Sequence, residues 1–289
     1  MSEQKQHKLP KEEYAKMMSE RRKLLFDMAN EQIEKAVESG DSFLTYLNVK
    51  SQFDYTVTNA LLVMAQNPKA TMLRDITHWR DNNRYIKKGE KGIQILEPVE
   101  YIRKDNQPGI SYNPKYVFDI SQLQGKDNHI SPPDYRTEEI LSALIYRTEI
   151  QPKLVDENAM MPERVFYDPD TQIISVKKGL DVKNMVNGLL REYCLAEFME
   201  QGYTREEAVF NAECSAYMLS KKYGIGEYNT LFLSSCTEHF FSMDPKEIKA
   251  ELENISSVSN NISSRMKSGL YAQQEQSRQK EKNVGEHER

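Results

Sequence analysis

Cysteine is scarce in this chain. Three of 289 residues, at 194, 214 and 236 with no Cys-x-x-Cys among them, argue against a disulfide framework or a zinc knuckle and fit reduced thiols. Histidine is nearly as scarce. The five, at 7, 78, 129, 239 and 287, include no pair four residues apart, so no helix can present two imidazoles one turn from each other. No apolar run approaches the ~20 residues needed to span a bilayer. The opening Met-Ser-Glu-Gln-Lys-Gln-His has no apolar core of a signal peptide, and a soluble, cytoplasmic protein with no membrane contact is expected. Excess positive charge is missing too. With a net charge of -5 the whole chain mildly repels a phosphate backbone, so any nucleic-acid site must be local.

What the chain does have is enough apolar material, 38% of residues, for the cores of two domains, with polar ends suggested by a mean hydropathy of -0.73. Its charge is uneven. Residues 69–104 carry nine Lys/Arg against five Asp/Glu, while the half beyond residue 130 is acidic. Spacing predicts a long amphipathic helix over 11–38, short helices over 43–47 and 55–66, a strand over 93–101 and a returning strand over 115–120. The turn-rich stretch 104–114 lies between the two strands. Beyond it come a helix over 137–147, a hairpin of 165–167 with 173–176, helices over 182–200 and 205–223, and a last helix over 245–267. The fold class expected is α+β, organised as a domain over 1–125 with a small antiparallel sheet, a linker over 126–136 and a mostly helical domain with a short β-hairpin over 137–243. A C-terminal helix over 244–270 and a polar, disordered tail over 271–289 complete it.

One window combines positive charge, rings and exposed backbone amides. An apolar helix ends at Asn67-Pro68, the single tryptophan, Trp79, follows, and Arg84-Tyr85-Ile86-Lys87-Lys88-Gly89-Glu90-Lys91-Gly92 opens a strand. Such a mixture suits a flexible polyanion with exposed bases, that is, single-stranded nucleic acid. On chemistry alone the plainer reading is favoured, in which the lysines decorate a solvated turn and Trp79 packs in a core. Asn59 and Gln66 can read base edges, but taken singly they more readily satisfy buried backbone.

The motifs Tyr55-x3-Asn59-x-Leu61-Leu62-x-Met64-x-Gln66-Asn67-Pro68-x-Ala70-Thr71, Trp79, Lys87-Lys88-Gly89-Glu90-Lys91-Gly92-Ile93-x-Ile95 and Val117-Phe118-Asp119-Ile120-Ser121-Gln122 stand in linked order. In that order they resemble the N-terminal domain of ArdC-type antirestriction proteins of conjugative elements, over roughly residues 10–125. The resemblance implies a single-stranded-DNA-binding module, with phosphates held by Arg84, Lys87, Lys88 and Lys91 and bases stacked on Trp79 or Tyr85. Tyr55, Asn59 and Gln66 would line the same groove. Host restriction or conjugation proteins are further partners that it implies.

The second half looks like the zincin-type metallopeptidase domain of that family, with a decisive departure. Where the family has His-Glu-x-x-His, this chain reads Arg191-Glu192-Tyr193-Cys194-Leu195, while Ala212-Glu213-Cys214-Ser215-Ala216 keeps the third-ligand pattern. A catalytic zinc needs about three protein ligands, and two are replaced. Arg191 puts a cation where the metal would sit, where it can pair with Glu192 or Glu213. The expectation is a pseudo-enzyme with vestigial Glu192 and Glu213, no metal and no cofactor. The alternatives are a hydrolase with a metal site rebuilt from Cys194, Cys214, Glu213 and His239, and a protein-interaction module that mimics DNA to block host restriction.

Overall fold

The computed structural model describes residues 10–103, 105–125 and 134–287. The chain divides into two compact units, Met1–His129 and Ile130–Arg289. Most of the expected linker, 126–133, lies outside the described residues.

The first unit runs α1 (Lys11–Val37), α2 (Gly40–Gln52), α3 (Val57–Gln66), β1 (Leu73–Arg74), α4 (Ile76–Asp81), β2 (Arg84–Ile86), β3 (Ile93–Ile102), β4 (Pro108–Asp119) and β5 (Leu123–Gly125). Its sheets are antiparallel, ordered β1-β4-β3 and β2-β5. Leu25, Ala29, Ile33 and Ala36 form the buried stripe of α1, at the spacing of one helical face. The side chain of Thr56 caps α3, whose Ala60 to Val63 are fully buried.

β4 is twice as long as the expected returning strand, and it begins inside the stretch read as a turn. Pro108, Gly109, Asn113 and Pro114 look like turn residues, but both prolines occupy positions that tolerate them. Pro114 stands opposite Leu96 and Pro108 opposite Ile102. The backbone of Leu96 is bonded to the side chain of Asn59, on the side away from β4. Its opposite residue therefore needs no amide for the β3–β4 ladder, and the same parity holds at Pro108.

Asp119 ties this unit together. Its carboxylate accepts from the amides of Thr71 at 2.7 Å, Met72 at 2.9 Å and Ser121 at 3.0 Å, and from the Ser121 hydroxyl at 2.5 Å. Burial pushes its pKa up, but the donors of Ser121, Met72 and Thr71 outweigh it and hold the carboxyl below its usual range. The stability Asp119 contributes is thus complete above the ordinary carboxylate pKa of about 4 and is lost as pH falls through the lower folded value. Asp119→Ala should cost about 3 kcal/mol at pH 7, as three part-buried amides lose their acceptor. The difference from wild type should shrink in urea melts at pH 3. A difference independent of pH would show that the carboxylate charge is not what holds the turn.

The second unit contains α5 (Thr137–Leu144), β6 (Pro152–Val155), β7 (Val165–Asp168), β8 (Ile173–Lys177), α6 (Val182–Glu200), α7 (Arg205–Lys222), α8 (Cys236–Phe240) and α9 (Pro245–His287). The expected hairpin β7–β8 gains β6, paired parallel to β8. Asp181 caps α6, and a reciprocal pair of Thr204 and Glu207 caps α7. α9 contradicts the expected disordered tail, since it continues helical through His287. A polar composition argues for disorder only when no packed segment anchors it. Here Ile248, Leu252, Ile255, Val258, Ile262, Met266 and Leu270 bury a continuous stripe, and Gln273 then donates to the Glu139 carbonyl at 3.1 Å. No helix of the described residues is long and apolar enough to cross a membrane.

Candidate nucleic-acid interface and arginine–carboxylate cluster

The residues singled out in the first unit separate into a frame and a surface. Asn59 and Gln66 lie seven apart on α3, on one helical face, and their amides act like a neighbouring strand for β3. Asn59 donates to the Leu96 carbonyl at 2.9 Å and accepts its amide at 2.8 Å; Gln66 does the same for Gln94 at 2.8 and 2.9 Å. Both side-chain amides are spent on backbone, buried at Leu96 and part-buried at Gln94. Trp79 is likewise corrected. It is 0% exposed, and its indole N–H donates to the Phe118 carbonyl at 2.9 Å, so it offers no face for stacking. Arg84 is buried as well, because the alternation of β2 turns it inward. Tyr55 is half-buried and stacked on Phe53 at 5.5 Å.

The surface consists of Tyr85, 54% exposed on the opposite face of β2 from Arg84, together with Lys87, Lys88 and Lys91. Their loop is tied down by hydrogen bonds. Gln122 donates to the Lys91 carbonyl at 2.8 Å and to Glu90 at 2.9 Å, which occupies the loop's single carboxylate. Lys87 donates its ammonium to the Ser121 carbonyl at 2.7 Å. Among the described residues, neither Lys88 nor Lys91 pairs with an acid. Gly89 turns the loop at φ +92°, and a Cβ on Gly92 would stand 2.9 Å from the rings of Phe118 and Tyr116. The linked motifs are therefore one hydrogen-bonded frame around a cationic loop.

In the second unit, the segment resembling a zinc-binding helix lies on α6. Arg191 pairs with Glu163, with Glu192 at 2.8 Å and with Glu213 of α7 at 3.7 Å. Glu192, 0% exposed, also accepts the Tyr167 amide at 2.7 Å and a donor of Arg205 at 2.9 Å, while Arg205 donates to the Tyr167 carbonyl at 3.0 Å. The Glu192–Arg205 pair thus closes the outer edge of β7 at Tyr167, as Asn59 and Gln66 close β3. Glu213 accepts the Tyr228 hydroxyl at 2.6 Å. Burial raises the Glu213 pKa above its usual range against the pull of Tyr228 and Arg191, and burial next to Glu213 raises Tyr228 far more. Burial lowers the pKa of Arg191, but Glu192, Glu163 and Glu213 more than reverse that and keep it charged.

Glu163 and Arg205 escaped the sequence reading. Glu163, 28 residues from Arg191, left no local signal. Arg205 did leave one. A cation in the first turn of a helix opposes its dipole, so a carboxylate partner could have been sought there. Among the described residues no three His, Cys, Asp or Glu form a group able to hold a metal, and burial pushes the thiols of Cys194 and Cys214 well above their usual range. Above Arg191 opens a cleft of about 550 Å3, lined in part by Glu163, Asn187, Glu213 and Tyr228.

No family model and no curated protein matches the chain. Among solved structures it is similar to the metal-free crystal structure of the antirestriction protein ArdC from plasmid R388, with a TM-score of 0.56 and 13% identity over 84% of this chain and 99% of that one. The Mn(II)-bound structure of the same protein aligns at a TM-score of 0.48 and 14% identity, covering 73% of this chain and 85% of that one. At such identity the likeness is one of fold: the chain is an α+β protein similar in architecture to the antirestriction protein ArdC.

Proposed function

We propose that this protein binds single-stranded DNA through Tyr85 and the Lys87–Gly92 loop, and serves a mobile element as an antirestriction or DNA-transfer accessory protein. The observation that carries the reading is that, among the described residues, Lys88 and Lys91 pair with no acid, on a loop whose own carboxylate is held by Gln122. A hydrogen-bonded loop that keeps Lys88 and Lys91 free of acids among the described residues suits phosphate, and an exposed ring beside it suits an unstacked base. The fold likeness to a protein described as antirestriction supplies the biological setting. Host restriction or conjugation proteins are the partners that follow from it.

The second unit is, on this reading, a metallopeptidase-like scaffold without peptidase activity. Arg191 takes Glu163, Glu192 and Glu213 as its partners, so these carboxylates are committed to a cation of the chain itself rather than to a metal that would activate a water.

A salt titration against oligo(dT) tests the DNA site. Three lysine–phosphate contacts give a slope of log affinity on log salt of roughly -2, at about -0.7 each on single strands. Lys88→Ala with Lys91→Ala should flatten it by roughly 1.4, and Tyr85→Ala should weaken binding at every salt concentration. An unchanged slope would remove the loop from the site. Equal-length duplex and RNA probes define selectivity. Turnover of casein above blank with added zinc or manganese would overturn the scaffold assignment.

A further inference from the structure

The first unit contains a second cluster of cations that no sequence motif marks. Arg21-Arg22-Lys23 form one turn of α1, and none of the three has a carboxylate partner among the described residues. Arg21 is nonetheless held in place. Its guanidinium lies 5.1 Å from the centroid of the Tyr116 ring and donates to the Tyr116 hydroxyl at 2.6 Å. Tyr116 is 40% exposed, and its ring in turn rests against Gly92, the end of the lysine loop. Phe26 of α1 meets Tyr112 at 5.7 Å, so α1 runs opposite to β4, and its N-terminal half heads toward that loop.

This pairing is informative because of what it leaves undone. Arg21 is oriented by a neutral hydroxyl and an aromatic ring, which fix the fork without neutralising it. A positioned, uncompensated guanidinium suits bidentate capture of a phosphate. We infer that Arg21, positioned by Tyr116, is a phosphate-binding residue of the DNA site, and that a single strand passes between α1 and the Lys87–Gly92 loop. The inference rests on the proposed DNA binding and extends it to a helix about 65 residues upstream of the loop in sequence.

Fluorescence anisotropy of labelled oligo(dT) at stepped salt tests it on the full chain. Arg21→Gln should weaken binding about tenfold, the size of one charge-assisted hydrogen bond, and flatten the salt slope by about 0.7. Arg21→Lys should keep the slope while losing affinity, since the charge remains and the fork is gone. Tyr116→Phe should weaken binding less than Arg21→Gln, with the slope intact, because it frees the guanidinium without removing it. If wild type binds and Lys88→Ala with Lys91→Ala weakens it, but Arg21→Gln matches wild type in affinity and slope, the inference fails and the loop site stands. If wild type binds no oligonucleotide, both fall. Unchanged thermal melts confirm that the variants are folded.

Discussion

Arg191→Ala is expected to destabilise the second unit by about 3 kcal/mol, near the lower end of the 3–5 kcal/mol typical when one partner of a buried pair is removed. Glu192 is 0% exposed and would keep Arg205 and the Tyr167 amide, which limits the loss. Glu213, with its side chain 19% exposed, would keep only the Tyr228 hydroxyl. Arg191→Met, which preserves much of the stem's packing, separates the charge from the hydrocarbon. Combined with Glu192→Gln in a double-mutant cycle, Arg191→Ala should show coupling of about 1–3 kcal/mol in urea unfolding. A loss below about 1 kcal/mol, the worth of an exposed pair, would show that the cluster does not hold the unit together.

Trp79→Ala should cost the first unit about 3–5 kcal/mol, through lost burial and the cavity left behind. Trp79→Phe should cost less, about 1–3 kcal/mol, of which the orphaned Phe118 carbonyl is a part. Because Trp79 is the single tryptophan, wild-type emission excited at the red edge, where the 16 tyrosines do not absorb, reports on it alone. The emission should be that of a buried indole, and saturating oligo(dT) should leave it nearly unchanged. Strong quenching, as stacked bases produce, would return Trp79 to the DNA site. Where both proteins are folded, Trp79→Ala should bind DNA like wild type, whereas Tyr85→Ala should not.

The helices show how much was legible. α6 was expected over 182–200 and is Val182–Glu200, because its cap and its apolar period are both local. α2, expected over 43–47, extends over Gly40–Gln52, since the side chain of Ser39 caps it and Phe43, Tyr46 and Leu47 are buried by packing. β4 was masked by its prolines, whose harmlessness depends on ladder parity, a property of the pair rather than of either strand.

By itself, the sequence determined the α+β class, the long helices and the lysine loop. Periodicity, capping and residue identity are local, so they survive without coordinates. The tertiary structure decided which polar groups are spent and which are free. Asn59, Gln66, Trp79 and Arg84 carry the same chemistry as a nucleic-acid contact, but the first three are committed to Leu96, Gln94 and Phe118, and Arg84 is turned inward. Among the described residues, Lys88, Lys91 and Arg21 are not committed to any acid. A hydrogen-bonding side chain becomes frame or surface according to whether unpaired backbone lies within about 3 Å of it, and only the folded chain fixes that distance.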